Sequence, residues 1–158
     1  MEFDFEKLPV ADRYKIMTST IVPRPIAWVT TVSKDGVRNA APISFFNGMG
    51  KDPPVLALGI QPNGNGGLKD TARNILETHE FVVNLVPEDA AQAMNMTSID
   101  APPDVDELAL ANIATVPSLK VKPPRIAASP VAFECRLHTP LELGPKKYIF
   151  VGTILQNE

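Results

Sequence analysis

The hydrophobic and polar positions along the chain describe mostly β-strands. Pro23 to Phe46, PRPIAWVTTVSKDGVRNAAPISFF, reads as a β-hairpin. AWVTTV is rich in β-branched and aromatic residues, Asp35-Gly36 supplies a two-residue turn that tolerates positive φ, and VRNAAPISFF returns. That turn sets Val32 opposite Asn39, Thr31 opposite Ala40 and Thr30 opposite Ala41. Pro42 has no N–H for a ladder, so its strand is an edge or is bulged there. VLALGI (Val55 to Ile60) is a continuous apolar run and reads as a buried strand, and Gln61 to Gly67 is a loop without core formers.

Helical spacing takes over in KDTARNILETHE, with Asp70 as N-cap and Ala72, Ile75 and Leu76 on one apolar face. FVVNLV (Phe81 to Val86) is again a strand, and EDAAQAMNM a helix with acidic residues at its start. Residues 101 to 124 are irregular, with prolines at 102, 103, 117, 123 and 124 and a short helix at VDELALA. Their Leu108, Leu110, Ile113, Val116 and Leu119 all need partners. From Pro130 to Leu143 the pattern alternates, with Val131, Phe133, Cys135 and Leu137 on one face. Lys147 to Leu155 completes a second antiparallel pair around Gly144-Pro145. Two hairpins, a central apolar strand and few helices predict an all-β barrel with helical insertions. No repeat or linker divides the 158 residues, so one domain over 1–158 is expected.

Composition narrows the classes. A hydrophobic content of 44% supports a real core. A formal net charge of -3 argues against a nucleic-acid partner, which calls for a basic stripe. No apolar run approaches the roughly 20 residues that span a bilayer, so no membrane partner is expected. The acidic start MEFDFEK has no secretory pattern, and a single cysteine, Cys135, fits a reducing cytoplasm and a small buried side chain.

The chemical inventory is thin. His79 and His138 lack a second imidazole or thiol at metal-ligand spacing, so no metal site is expected. No serine lies in a nucleophile elbow, and GNGG at 64–67 is not closed by the Lys-Ser/Thr of a phosphate loop. The best anion cradle is Lys69-Asp70-Thr71, where helix N–H groups, an ammonium and a hydroxyl converge. The same residues also describe an ordinary capped helix with a solvated lysine. The hairpin offers two hydroxyls, small residues and an interrupted ladder, against which a flat polar ring could lie; a plain kinked hairpin has the same pattern. A chain with one anion cradle, one ring-sized notch and no acid, base or nucleophile set points to a cofactor that supplies the chemistry, with no catalytic side chain.

RPIAWVTT, then NAAPISF, then KDT with N and FVVN, in this order, resembles the flavin reductase-like, FMN-binding split-barrel family (flavoredoxin-like). The resemblance is close over the first 90 residues or so and looser beyond. It implies a six-stranded antiparallel Greek-key split β-barrel, a homodimer, and FMN near the subunit interface. It implies hydride transfer from NAD(P)H to bound FMN and on to an acceptor, or else an electron carrier served by a redox partner protein. Carried onto this chain, it sets Arg24 and Pro25 near the flavin and Thr30 and Thr31 at its phosphate or ribityl chain. Asn39, Ala40, Ala41, Pro42 and Ser44 would edge the ring, with Lys69 and Thr71 on the phosphate. Two departures stand out. Where members often carry Gly-Asp/Asn-His, this chain reads Gly144-Pro145-Lys146-Lys147-Tyr148, without the nicotinamide-facing histidine. It also stops at Glu158 directly after a strand, so a member short at its C-terminus, or a truncated one, is expected.

Overall fold

A computed structural model describes residues 2–158. Seven strands form one antiparallel sheet: β1 (Ala27–Val32), β2 (Arg38–Ile43), β3 (Phe46–Lys51), β4 (Pro54–Ile60), β5 (Glu80–Leu85), β8 (Ala132–Gly144) and β9 (Lys147–Asn157), in the order β2-β1-β5-β8-β9-β4-β3. A second sheet pairs β6 (Thr115–Val116) with β7 (Arg125–Ile126). The helices are α1 (Val10–Thr20), α2 (Asp70–Thr78), α3 (Ala91–Met96), entered through a 3-10 turn at Glu88–Ala90, and α4 (Glu107–Leu110). The large sheet thus has seven strands against the six that the resemblance implies.

The sheet is strongly curled. Seven flat strands would hold β2 and β3, the two ends of the order, about 29 Å apart at ~4.8 Å per strand. Yet only Ser44-Phe45 links them, a span of at most about 11 Å. The Phe45 carbonyl accepts from the Gly59 N–H of β4 at 2.7 Å, fastening the link to the far side of the sheet.

Alternation along β1 and β5 fills two faces. Ala27, Val29, Phe81 and Val83 join Leu56, Leu58, Phe150 and Cys135 in the main core, which Ala72 and Ile75 of α2 complete. Burying each large side chain there contributes about 1.5–3 kcal/mol. Trp28 points the other way, into a second cluster with Ala40, Ala90, Leu108 and Ile126, and its indole N–H donates to Thr97 Oγ at 3.0 Å. That contact and the Arg38–Asp106 ion pair, at 2.7 Å, hold residues 97–110 against β2.

Two expectations need correction. In the hairpin, Val32 pairs with Arg38, Thr31 with Asn39 and Thr30 with Ala40, one residue away from the expected register. The loop has three residues, Lys34-Asp35-Gly36, closed by Ser33 N–H to the Val37 carbonyl at 2.8 Å, with Gly36 at φ 87°. A type I turn followed by a left-handed glycine adds the residue that a two-residue turn lacks. Asp70 does not cap α2: Lys69 occupies that position with no side-chain cap, and Asp70 in the first turn pairs with Arg73. In β8 the expected face holds, with Phe133, Cys135 and Leu137 on the main core; between Glu134 and Cys135 the pairing with β9 skips Leu155, and Glu134 is also buried. The Glu134 carboxylate accepts the Leu119 and Lys120 N–H groups at 2.8 and 2.6 Å, which anchors the 117–124 excursion.

The N-terminal helix α1 lies outside every sequence expectation. None of its residues is buried, and the Arg24 guanidinium ties its C-terminal end by donating to the Thr18 and Ile21 carbonyls at 2.6 and 2.8 Å.

Candidate functional site

The outer edge of β2 bounds a trough. As the last strand of the sheet it bonds only to β1; because the Ser33 N–H donates to the Val37 carbonyl, Asn39 and Ala41 face β1 and Ala40 and Pro42 face outward, leaving their carbonyls without a sheet partner. A hollow of about 230 Å³ opens between Asn39–Pro42 of this edge, the start of α2 and residues 97–107. An adjoining hollow of about 190 Å³ shares Ala41, Pro42, Lys69 and Thr71 and runs on to Ser44, Gln61 and Tyr14 of α1. Beyond Ser44 and Phe45, an apolar groove of about 440 Å³ carries Arg24, Pro25, Met17, Met49 and Tyr148.

Most of the residues singled out by sequence line this trough, but Thr30 and Thr31 do not. β1 is flanked by β2 and β5 and covered on both faces, so neither hydroxyl reaches a surface. Thr30 donates to the Pro124 carbonyl at 2.6 Å, and Thr31 accepts from the Asn74 amide at 3.0 Å. Thr71 is also buried, and its hydroxyl is engaged with Asn39 at 2.9 Å, while Asp70 and Arg73 of α2 also line the hollow. The first N–H groups of α2 have no side-chain cap, a disposition that suits an anion. Lys69 beside them is exposed and has no ion-pair partner among the described residues. Ser44 Oγ lies 3.4 Å from Arg24 Nε.

Sequence reasoning missed Glu107. It is 5% exposed and stands in the wall of the same hollow as Lys69. The Asn39 amide donates to its Oε1 at 3.2 Å; the reverse orientation would set amide oxygen against carboxylate. Its Oε2 has no partner. Burial pushes its pKa up from 4.5 to about 7; the N–H groups of Glu107 and Ala40 pull the other way, and Asp70 and Asp106 add to the rise. Nothing in ELAL distinguishes this carboxylate from a solvated helix residue; only the packing of α4 on β2 does. Arg73 lay nearer to hand, since one helical turn separates it from Asp70.

Comparisons with known proteins agree on the family. Residues 17–158 match the family model described as flavin reductase like domain. An uncharacterized protein of Aquifex aeolicus is 41% identical over 155 residues, which cover 98% of this chain and 79% of that protein. Nitrilotriacetate monooxygenase component B from Bacillus cereus superposes with a TM-score of 0.94 at 33% identity, covering 99% of this chain and 80% of that one. The 2-nitrobenzoate 2-nitroreductase of Pseudomonas fluorescens does so with a TM-score of 0.90 at 32% identity, covering 100% and 76%.

Proposed function

We propose, from the premise that this chain belongs to the flavin reductase like domain family, that it is an FMN-binding oxidoreductase that takes hydride from NAD(P)H and passes electrons to an acceptor. Membership makes it a flavin-related oxidoreductase; the choice of FMN, the nicotinamide donor and the residues below are our reading. One observation carries that reading: a lysine without an ion-pair partner stands beside an uncapped helix N-terminus, at the end of a trough that runs along an open strand edge. The cradle fits a phosphate, and the outward carbonyls of Ala40 and Pro42 fit donors on the polar rim of a flat ring.

In this reading Lys69 and the first N–H groups of α2 hold the phosphate. Asn39, Ala40, Ala41 and Pro42 edge the ring, and Ser44, Arg24 and Pro25 border its far side. Bound flavin supplies the hydride and electron chemistry, so the protein needs no acid or base and serves to orient two rings and exclude water. Residues 1–158 act as one flavin-binding domain, and the lone, fully buried Cys135 fits a cytoplasmic setting. Among the described residues no helix is long and apolar enough to cross a membrane. A redox partner protein is part of the proposal, since one structural neighbour is named as a monooxygenase component.

The β8–β9 turn favours a second reading. Gly144-Pro145-Lys146-Lys147 presents no imidazole, as expected of an electron carrier without a productive nicotinamide site. The absorption spectrum of the purified protein, before and after added FMN, tests the cofactor, and a colourless protein that takes up no FMN would sink the proposal. Anaerobic stopped-flow mixing with NADH or NADPH separates the readings, because rapid bleaching marks the reductase and slow bleaching the carrier.

A further inference from the structure

We infer that the cleft takes up its phosphate-bearing ligand together with one proton, which Glu107 carries. The inference rests on the flavin reading above. A carboxylate buried to 5% exposure, with Asn39 on one oxygen and nothing on the other, is an unusual group to leave in the wall of an anion cradle. Ionised, it repels an incoming dianion and leaves Oε2 without a donor. Protonated, it gains an O–H that can donate into the cleft, and the repulsion disappears.

The charges facing Glu107 sharpen the point. From α2 and the residue before it come Lys69, Asp70 and Arg73, and the last two pair with each other. Asp106, its neighbour in sequence, pairs with Arg38 of β2. Asp100 enters from the segment before α4. With those pairs closed, Lys69 alone faces Glu107, Asp100 and the ligand, so an arriving phosphate raises the proton affinity of the one group that is both buried and half-partnered. Because Glu107 in the empty cleft gives up its proton at about 7, the uptake falls in the range just above neutrality. The proton comes from solvent, and no bond other than O–H forms or breaks.

Calorimetric titration of the flavin-free full chain with FMN at pH 8, in two buffers of different ionisation enthalpy, counts the protons. FMN phosphate has its second pKa near 6, so its own ionisation is complete there. The expected result is uptake of between about half and one proton per FMN, with affinity falling by up to about tenfold per pH unit above neutrality. Riboflavin, which lacks the phosphate, should bind without uptake, and Glu107→Gln should bind FMN without uptake and with a flat pH profile. FMN binding with no uptake, equal uptake with riboflavin, or uptake that persists in Glu107→Gln would overturn the inference. The FMN–riboflavin contrast in the wild-type chain decides the matter if the variant does not fold. If neither flavin binds, the flavin reading falls, and this inference with it.

Discussion

At the residue scale, Lys69 and Glu107 line the same hollow, and the proposed phosphate site depends on the charge of each. A charge-assisted hydrogen bond from Lys69 contributes roughly 1.5–3 kcal/mol, so Lys69→Ala should weaken FMN about 10- to 100-fold at 1.4 kcal/mol per decade. Riboflavin should lose far less, and equal losses for the two ligands in a fluorescence titration would remove Lys69 from the phosphate. Glu107 affects stability as well. Unfolded, it ionises near 4.5; folded, it keeps its proton to about 7. Between those values the folded state binds more protons, so stability falls as pH rises through that window and the loss persists above it. The shift corresponds to on the order of 3 kcal/mol at 1.36 kcal/mol per unit. Urea unfolding at pH 5 and pH 8 should therefore show Glu107→Gln gaining on the parent as pH rises; the same offset at both values would contradict this. Lys69 was legible in sequence because a cation before a helix start is a local feature. Glu107 was not, since its burial comes from a strand about 70 residues away in sequence.

At the element scale, strands read better than their pairing. The apolar run at 55–60, the alternation after Pro130 and the edge character that Pro42 implies are written in residue type, and all three reappear in the sheet. Register depends on one turn residue more or less, and Ser33 instead of Lys34 closes the first hairpin, which shifts every cross-strand partner by one. Thr30 and Thr31 then serve as internal fasteners, a role decided by which strands flank β1. The sheet also depends on close approaches that no propensity reveals. A Cβ on Gly152 of β9 would lie 2.3 Å from Cζ of Phe81, in the middle of the main core. Gly152→Ala must push a buried ring aside, so it should destabilise the fold by about 1–3 kcal/mol, read as a lower urea midpoint with an unchanged m-value. Gly36→Ala, whose Cβ meets nothing within 4 Å, should lose less and only through its positive φ. A Gly152→Ala chain as stable as the parent would show that β5 and β9 are less tightly pressed.

At the scale of the whole molecule, the apolar surface asks for a partner. The irregular 101–124 segment buries Leu108, yet leaves Leu110, Val116 and Leu119 59%, 40% and 65% exposed. On α1 and just after it, Val10, Tyr14, Met17 and Ile21 are also exposed, and α1 borders the hollow that contains Ser44. Exposed apolar side chains on two segments that wall the same trough are expected where a second copy completes the site, and a twofold arrangement lets each chain offer the other the same surface. An obligate contact of this kind should bury at least ~2,000 Å² in total. Sedimentation at micromolar concentration should give a dimer mass, and the FMN-loaded protein should dissociate at lower concentration than the flavin-free form, because a ligand held by both subunits stabilises the assembly. Paired Leu110→Glu and Leu119→Glu substitutions should produce monomers with weakened FMN binding. A monomer that keeps its flavin at full affinity would assign the whole trough to a single chain and leave the exposed leucines to some other contact.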